Sequence, residues 1–263
     1  MVIDGHSHVT LPIEEHIRTM DESGIDKTVL FSTTFHPEAA KSFAEVKTSM
    51  EFLNDLLAGK KGSMIEARKK AVSELTTAIA LYPDRYVGFG AVPVGLDLPD
   101  TLQFVRDVIY QNNLIGMGEF TLGKGQIHML DNIFRASQEF NNLPIWIHAF
   151  FPLEFQDIKD IAALAKSHPE IPVILGHLGG CNWLDTIELI KEISNLYLDT
   201  SAYYSTFVLA AIINEVPGKC LFGVDRPFGD LQTSKDTILR FANSSSISDA
   251  VLGENISKLL HLM

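Results

Sequence analysis

Two histidines, His6 and His8, lie one residue apart directly after the apolar start of the chain. In an extended strand, residues two apart project to the same face, so both imidazoles can point to one position in space. Buried neighbouring imidazoles need partners for their ring nitrogens, and a shared metal ion would be one. A solvated pair without an ion is the alternative, because a His-x-His motif is short enough to arise by chance. Metal binding therefore depends on further ligands along the chain.

Further candidate ligands follow four later apolar runs, each at the point where the run ends. A single histidine or carboxylate in such a place more often serves only as a hydrogen-bonding group of the core. The repetition of the pattern instead indicates a site of nitrogen and oxygen donors for one or two divalent ions, with Zn²⁺ preferred and Mn²⁺, Fe²⁺ or Ni²⁺ as alternatives. The predicted metal ligands are His6, His8, Glu119, His148, His177 and Asp225.

Other polar residues are assigned by their position relative to these ligands. Arg226, next to Asp225, is predicted to bind a substrate carboxylate through its two-pronged guanidinium, with a salt bridge to a loop as the equal alternative. His36 is assigned to a surface loop after the second apolar run, with a position at the mouth of the barrel as the alternative. Trp146, two residues before His148, is predicted to fill the interior. The histidines assigned to the surface are His16, His128, His168 and His261.

Eight short apolar runs alternate with amphipathic stretches along the whole chain. This pattern is typical of βα units around a parallel sheet, whose strands are buried on both faces. Eight units in this length predict a single-domain (β/α)8 TIM barrel over residues 1–263. An open doubly wound sheet is the alternative, but the Gly-x-Gly-x-x-Gly motif that would favour it is missing after the first strand. The predicted strands are 2–9, 28–32, 86–92, 114–120, 144–150, 173–178, 196–201 and 220–224.

The connection after the second strand is unusually long. Residues 37–83 contain two helical patterns, 38–57 and 64–81, which predict a helical insertion after strand 2. This insertion is a candidate lid, or a candidate contact in a homo-oligomer. The active site of a TIM barrel lies at the carboxyl ends of its strands, where all the predicted ligands are placed. The sequence therefore predicts that they converge on one mouth of the barrel.

The amino-acid composition limits the classes of binding partner that are expected. The 263 residues carry a net charge of −12, which repels polyanions, so the expected partner is a small-molecule substrate and not a nucleic acid. The sequence contains no apolar stretch of about 18 residues and no basic region followed by an apolar run, so neither a membrane span nor a secretory signal is expected. Two cysteines without a CxxC motif do not indicate a disulfide framework, and a cytoplasmic location is the simplest interpretation.

The order and placement of the motifs resemble the amidohydrolase superfamily, in particular its amidohydrolase-related (amidohydrolase 2) branch of metal-dependent hydrolases. That branch also contains aromatic-acid and semialdehyde decarboxylases. The resemblance spans nearly the whole chain. It rests on Asp4-Gly5-His6-Ser7-His8, Ile147-His148, Gly176-His177-Leu178-Gly179-Gly180, Gly223-Val224-Asp225 and Gly253-Glu254-Asn255-Ile256.

The resemblance implies a role for each candidate ligand. His6, His8 and Asp225 would bind the more buried ion. His148 would be a fourth ligand of that ion or a ligand of a second one. Glu119 matches a position where other branches place a bridging carboxylate or a carboxylated lysine, which favours two ions, although the single-metal branch does not need it.

The expected reaction is attack of a metal-activated water on an amide, lactone or ester bond of a small metabolite. Asp225 would take the proton of the water and pass it to the leaving group. By resemblance, His177 would bind the second ion or act as a general acid or base. Arg226 departs from the family, in which an aromatic residue often follows this aspartate.

Two other functions compete with hydrolysis. The first is metal-dependent non-oxidative decarboxylation of an aromatic or unsaturated carboxylic acid. The second is binding without catalysis, which is disfavoured because the full set of candidate ligands is present.

Overall fold

In the computed structural model, which describes residues 1–61 and 64–262, eight parallel strands pair in the order of the chain. The segment after the last strand returns to the first, since Gly5 N donates to Phe222 O at 2.7 Å and Val224 N to His6 O at 3.1 Å. The predicted (β/α)8 TIM barrel is therefore confirmed. Its strands are β1 (Ile3–His8), β2 (Lys27–Phe31), β3 (Tyr86–Gly90), β4 (Gly116–Phe120), β5 (Ile145–Ile147), β6 (Val173–Leu175), β7 (Leu196–Asp199) and β8 (Cys220–Leu221).

Apolar side chains fill the barrel interior below the histidines. Trp146 is fully buried there, as predicted, and its ring centroid lies 5.2 Å from that of Phe31 and 5.7 Å from that of Phe89. The opposite faces of the strands pack against the surrounding helices in a second apolar cluster. Burial on both faces explains why the strands read as continuous apolar runs.

Helices connect successive strands on the outside of the barrel. Helix α1 ends at Gly24, whose φ of 63° is the left-handed closing conformation that glycine adopts without strain. In the described residues, no helix combines the length and apolar character needed to cross a bilayer. The helices are α1 (Ile13–Ser23), α2 (Phe43–Leu57), α3 (Ile65–Leu81), α4 (Leu98–Phe104), α5 (Asp131–Glu139), α6 (Phe155–Ser167), α7 (Trp183–Glu192), α8 (Thr206–Glu215), α9 (Leu231–Phe241), α10 (Ser245–Asp249) and α11 (Asn255–Leu260).

The predicted insertion after strand 2 consists of two helices with different roles. Helix α3 buries Val72 and Leu75 against the barrel and contacts β3, so it is the regular barrel helix between β2 and β3. Helix α2 is the addition, and it begins with Phe43 84% exposed and ends with Leu57 buried. The expected extra pair is thus a single extra helix, because 64–81 belongs to the repeating βα pattern.

Candidate active site

A first group of predicted ligands meets at the carboxyl end of β1. His6 Nε2 and His8 Nε2 lie 3.7 and 3.8 Å from the same atom, Glu119 Oε2. Asp225 Oδ1 is 3.3 Å from His8 Nε2 and 4.0 Å from His6 Nε2. Since metal–ligand distances are about 2 Å, ligand atoms at these separations can share one ion. His6 Nε2 is also buried with no hydrogen-bond partner in the described part of the chain, so the residues present fit a metal ion.

The other carboxylate oxygen of Glu119 faces a second group of ligands. Its Oε1 lies 3.3 Å from His148 Nδ1 and 3.1 Å from His177 Nε2, and the two ring nitrogens are 3.0 Å apart. The side chain of Glu119 is only 7% exposed. Burial disfavours its charged form, but the histidines around it outweigh this effect and hold the pKa of Glu119 well below its usual value. Glu119 therefore stands as a carboxylate between two histidine pairs.

Hydrogen bonds fix which nitrogen of each second-group histidine faces the carboxylate. His148 Nε2 lies 3.0 Å from Phe151 O, which can only accept, so Nε2 carries the proton and Nδ1 presents a lone pair to the group. His177 Nδ1 lies 2.9 Å from Ser201 Oγ, while its Nε2 is hydrogen-bonded to His148 Nδ1 at 3.0 Å and also lies 3.1 Å from Glu119 Oε1. Burial lowers the pKa of His177, but the carboxylates of Glu119, Asp225 and Asp199 together outweigh this effect and raise it. His177 is thus placed to carry a proton at Nε2.

Asp199, which was not predicted from the sequence, hydrogen-bonds to His6 at the ring nitrogen that faces away from the other candidate ligands. It ends β7, is fully buried, and places Oδ2 2.6 Å from His6 Nδ1. Ser201 Oγ donates to the same oxygen at 2.8 Å. A carboxylate at Nδ1 fixes the tautomer in which Nε2 is free to bind a metal. The signal was present, because Leu196-Tyr197-Leu198-Asp199 is an apolar run ending in a carboxylate, like the run before Asp225.

The backbone at the site is shaped to place these side chains. His177 and Asp225 have φ of 60° and 61°, in the left-handed region that residues other than glycine rarely adopt and that recurs at functional sites. Gly223 lies against Asp199 and His6, and a Cβ there would collide with Asp199 Oδ1. The Gly223-Val224-Asp225 motif therefore combines a close backbone approach with an inward carboxylate.

A cavity of about 350 Å³ opens above the ligands. Residues of α2 and α3 line it together with residues at and after the strand ends. Arg68, in the first turn of α3, lines this cavity and is 7% exposed. The apolar residues lining it include Phe35, Leu53, Leu56, Leu57, Phe150, Phe151 and Phe228.

The family model described as amidohydrolase matches residues 3–262. The chain belongs to the amidohydrolase family. Members of this family are metal-dependent enzymes, and the present chain is an enzyme. No curated protein matches the sequence significantly.

Solved structures with low sequence identity share the fold of this chain. A 2,6-dihydroxybenzoate decarboxylase from Rhizobium superposes with a TM-score of 0.70 at 16% identity, covering 99% of this chain and 98% of that one. A dihydroxybenzoic acid decarboxylase from Polaromonas, solved with manganese, gives 0.68 at 16%, covering 99% and 97%. A probable 2-pyrone-4,6-dicarboxylic acid hydrolase from Acinetobacter baumannii gives 0.66 at 13%, covering 99% of both chains. These identities show the barrel fold alone.

The Arg226 side chain is directed toward α1 and not toward the cavity, so its predicted role in binding a substrate carboxylate gains no support from the structure. Its Nη1 donates to Thr19 Oγ1 on α1 at 3.1 Å, and its backbone N donates to Ser7 Oγ at 3.2 Å. Asp225 lies in the left-handed backbone region, and the chain beyond it carries the Arg226 side chain toward the helix layer. The cavity is lined by Asp225 and Pro227 but not by Arg226.

The remaining histidines differ in burial. His16 is fully buried against the Tyr86 ring, 5.6 Å between centroids, so its assignment to the surface is wrong. It lies three residues after Ile13 on the buried face of α1. Burial lowers the pKa of His16 to about 3. His36 is half-buried between Glu38 and Glu74, His168 is half-buried, and His128 and His261 are exposed as predicted.

Proposed function

We propose that this amidohydrolase is a metal-dependent hydrolase that cleaves an amide, lactone or ester bond of a small molecule. The observation that carries the proposal is the position of Glu119 between two groups of histidines, with one oxygen toward His6 and His8 and the other toward His148 and His177. This donor set suits one or two divalent ions, with Zn²⁺ as the first choice. A divalent ion bound there would polarise the substrate carbonyl and make water more acidic.

Two side chains at the cavity are placed to move protons. The Asp225 carboxylate borders both the cavity and His8, so it can take the proton of the attacking water and deliver it to the leaving group. His177 presents Nε2 to the same space, and with a single ion, which leaves His177 unligated, its N–H can donate to the oxygen that gains charge as the carbonyl is attacked. Ser201 holds this orientation through His177 Nδ1.

Non-oxidative decarboxylation is the second candidate. The apolar walls of the cavity suit an aromatic ring, and two of the structures with the same fold are named as decarboxylases of dihydroxybenzoic acids. In this reaction the bond to the carboxylate carbon breaks, carbon dioxide leaves, and the electron pair left on the ring carbon takes a proton. His177 is the residue here that could supply that proton.

The two candidates are separated by metal analysis followed by a substrate screen. Protein purified without chelators should contain about one or two equivalents of a divalent ion and should hydrolyse members of a panel of lactones, amides and esters. Release of carbon dioxide from aromatic acids, with no hydrolysis of the panel, would instead favour decarboxylation. Protein that binds no divalent ion even after incubation with zinc and manganese would exclude both.

The net charge of the chain and the volume of the cavity indicate the class of binding partner. A net charge of −12 and a cavity of about 350 Å³ support a small-molecule substrate over a nucleic acid. Association of copies through α2 and a cytoplasmic location are part of the same proposal, and size-exclusion chromatography with light scattering would test the first.

A further inference from the structure

The cavity is lined by polar groups of two kinds. The histidines and carboxylates at the strand ends are the first kind. The second is the guanidinium of Arg68 on α3. Because α3 follows β2 in a βα unit, its first turn lies at the same edge of the barrel as the ligands. Arg68 is the fourth residue of that helix, which explains why a helical side chain reaches the active-site cavity.

We propose that Arg68 binds the carboxylate of a compact, apolar acid and so holds the opposite end of that molecule at the strand ligands. This assignment rests on the proposed function, since it takes the cavity to be the substrate site. For hydrolysis, the scissile bond would lie away from this carboxylate, whereas for decarboxylation the acid would need a second carboxylate, at the strand ligands, as the one that leaves. It replaces Arg226 with Arg68 as the residue that selects an acidic substrate.

Charge is the first argument for this assignment. A divalent ion held by Glu119, Asp225 and the histidines would offset the charge of these carboxylates, but it would act at the strand ends, and the whole chain is strongly acidic. Among the described residues that line the cavity, Arg68 is the only lysine or arginine. An acidic substrate therefore has one side chain of this kind to compensate its charge. Burial lowers the pKa of Arg68 to about 10, and the side chain stays charged at neutral pH.

Burial is the second argument. Arg68 is 7% exposed, and the three leucines of α2, Leu53, Leu56 and Leu57, line the same space. An ion pair in such apolar surroundings is stronger than one at the surface, because water competes less for either charge. The guanidinium also matches a carboxylate with two parallel hydrogen bonds. The remaining apolar walls then accept the body of the acid.

Size is the third argument. A cavity of about 350 Å³ is at the lower end of the range for small-molecule sites. It suits an acid with a single ring better than a peptide or a nucleotide. The acid would have its carboxylate at Arg68 and its reacting bond near Glu119.

The test compares the binding of benzoate with that of benzamide, a neutral molecule of nearly the same shape, by calorimetry on the protein as purified. The variants are Arg68→Met, which removes the charge, and Arg68→Lys, which keeps the charge but loses the planar fork. Arg135→Met is the matched control, because Arg135 is exposed on α5 and its loss changes the net charge equally. Thermal unfolding shows whether each variant is folded.

We expect Arg68→Met to bind benzoate about 10- to 100-fold more weakly than the wild type, and Arg68→Lys to lie in between. Benzamide binding should be unchanged in every variant, and Arg135→Met should behave as the wild type. Equal loss of both ligands in Arg68→Met, unchanged benzoate binding, or no binding of benzoate to the wild type would each overturn the assignment. If Arg68→Met fails to fold, the comparison of Arg68→Lys with the wild type decides.

The outcome is independent of the test of the proposed function. Absence of bound metal would contradict the hydrolase and the decarboxylase, while a preference for benzoate over benzamide that depends on Arg68 would still stand. Conversely, suppose that the protein contains metal and is active but binds benzoate equally well without Arg68. The proposed function would then stand, and the role of Arg68 would be contradicted.

Discussion

The two sides of the cavity are built by different means. The strand wall consists of the candidate ligands at the strand ends, and its members are fixed by buried hydrogen bonds such as the 2.6 Å contact between Asp199 and His6. The helical wall consists of Leu53, Leu56 and Leu57 of α2 with Arg68 of α3, and α2 is largely exposed. The strand wall carries the groups that can perform chemistry. The helical wall belongs to the long connection after β2, and its side chains can determine substrate specificity.

The largest expected effect comes from removing two members of the strand wall. The double variant His6→Ala, His8→Ala should lose nearly all bound metal, because it removes two of the nitrogens around Glu119 Oε2. Activity should fall with it by at least about 1000-fold. Metal analysis and circular dichroism should show an empty but folded barrel. His128→Ala, at an exposed histidine, is the control, and full metal content in the double variant would contradict the site.

A smaller effect on metal binding is expected from changing Asp199, which hydrogen-bonds to His6 on the side away from the candidate metal site. Asp199→Asn keeps the shape but removes the charge that orients His6, so metal affinity should fall about 10- to 100-fold. Competition with a chromogenic chelator measures this change. Asp185→Asn, at an exposed aspartate, serves as the control. Wild-type affinity in Asp199→Asn would mean that His6 does not need this partner.

His16 belongs to neither wall and is fully buried on α1. Its folded-state pKa of about 3 lies below the ordinary 6.5, so below pH 6.5 the unfolded chain binds a proton that the folded chain does not. The free energy of unfolding should therefore decrease as the pH is lowered from 6.5 to 3. His16 should contribute up to about 1.4 kcal/mol of this decrease per pH unit.

The variant His16→Gln isolates this contribution. Its urea midpoint at pH 7, 6 and 5 should change less with pH than that of the wild type. Parallel curves for the two proteins would show that His16 is protonated in the folded state.

The smallest effect is expected in the helical wall. The double variant Leu53→Ala, Leu56→Ala should leave the metal content unchanged and weaken benzoate and benzamide binding alike, by about fivefold, because only apolar contact is lost. Phe43→Ala, at the exposed start of the same helix, should change neither property. Loss of metal in the leucine variant would show that the two walls are not independent.

Much of the strand wall could be predicted from the sequence. Carboxyl ends of parallel strands meet at one edge, so a polar residue ending an apolar run is placed without knowing the packing. His148 and His177 were found in this way, and Asp199 could have been, since Leu198-Asp199 carries the same signal. The helical wall had no such signal, because α2 and α3 read as ordinary amphipathic helices.

The sequence alone determined the barrel and the convergence of six candidate ligands, because strand burial and the two-residue alternation of side chains are local properties. The tertiary structure decided which arginine faces the cavity. Arg226 stands next to a ligand in sequence but turns toward Thr19, whereas Arg68, more than 150 residues earlier, reaches the cavity from α3. That choice depends on the backbone conformation at Asp225 and on how a helix packs over the barrel, and both are set by contacts between residues distant in the chain.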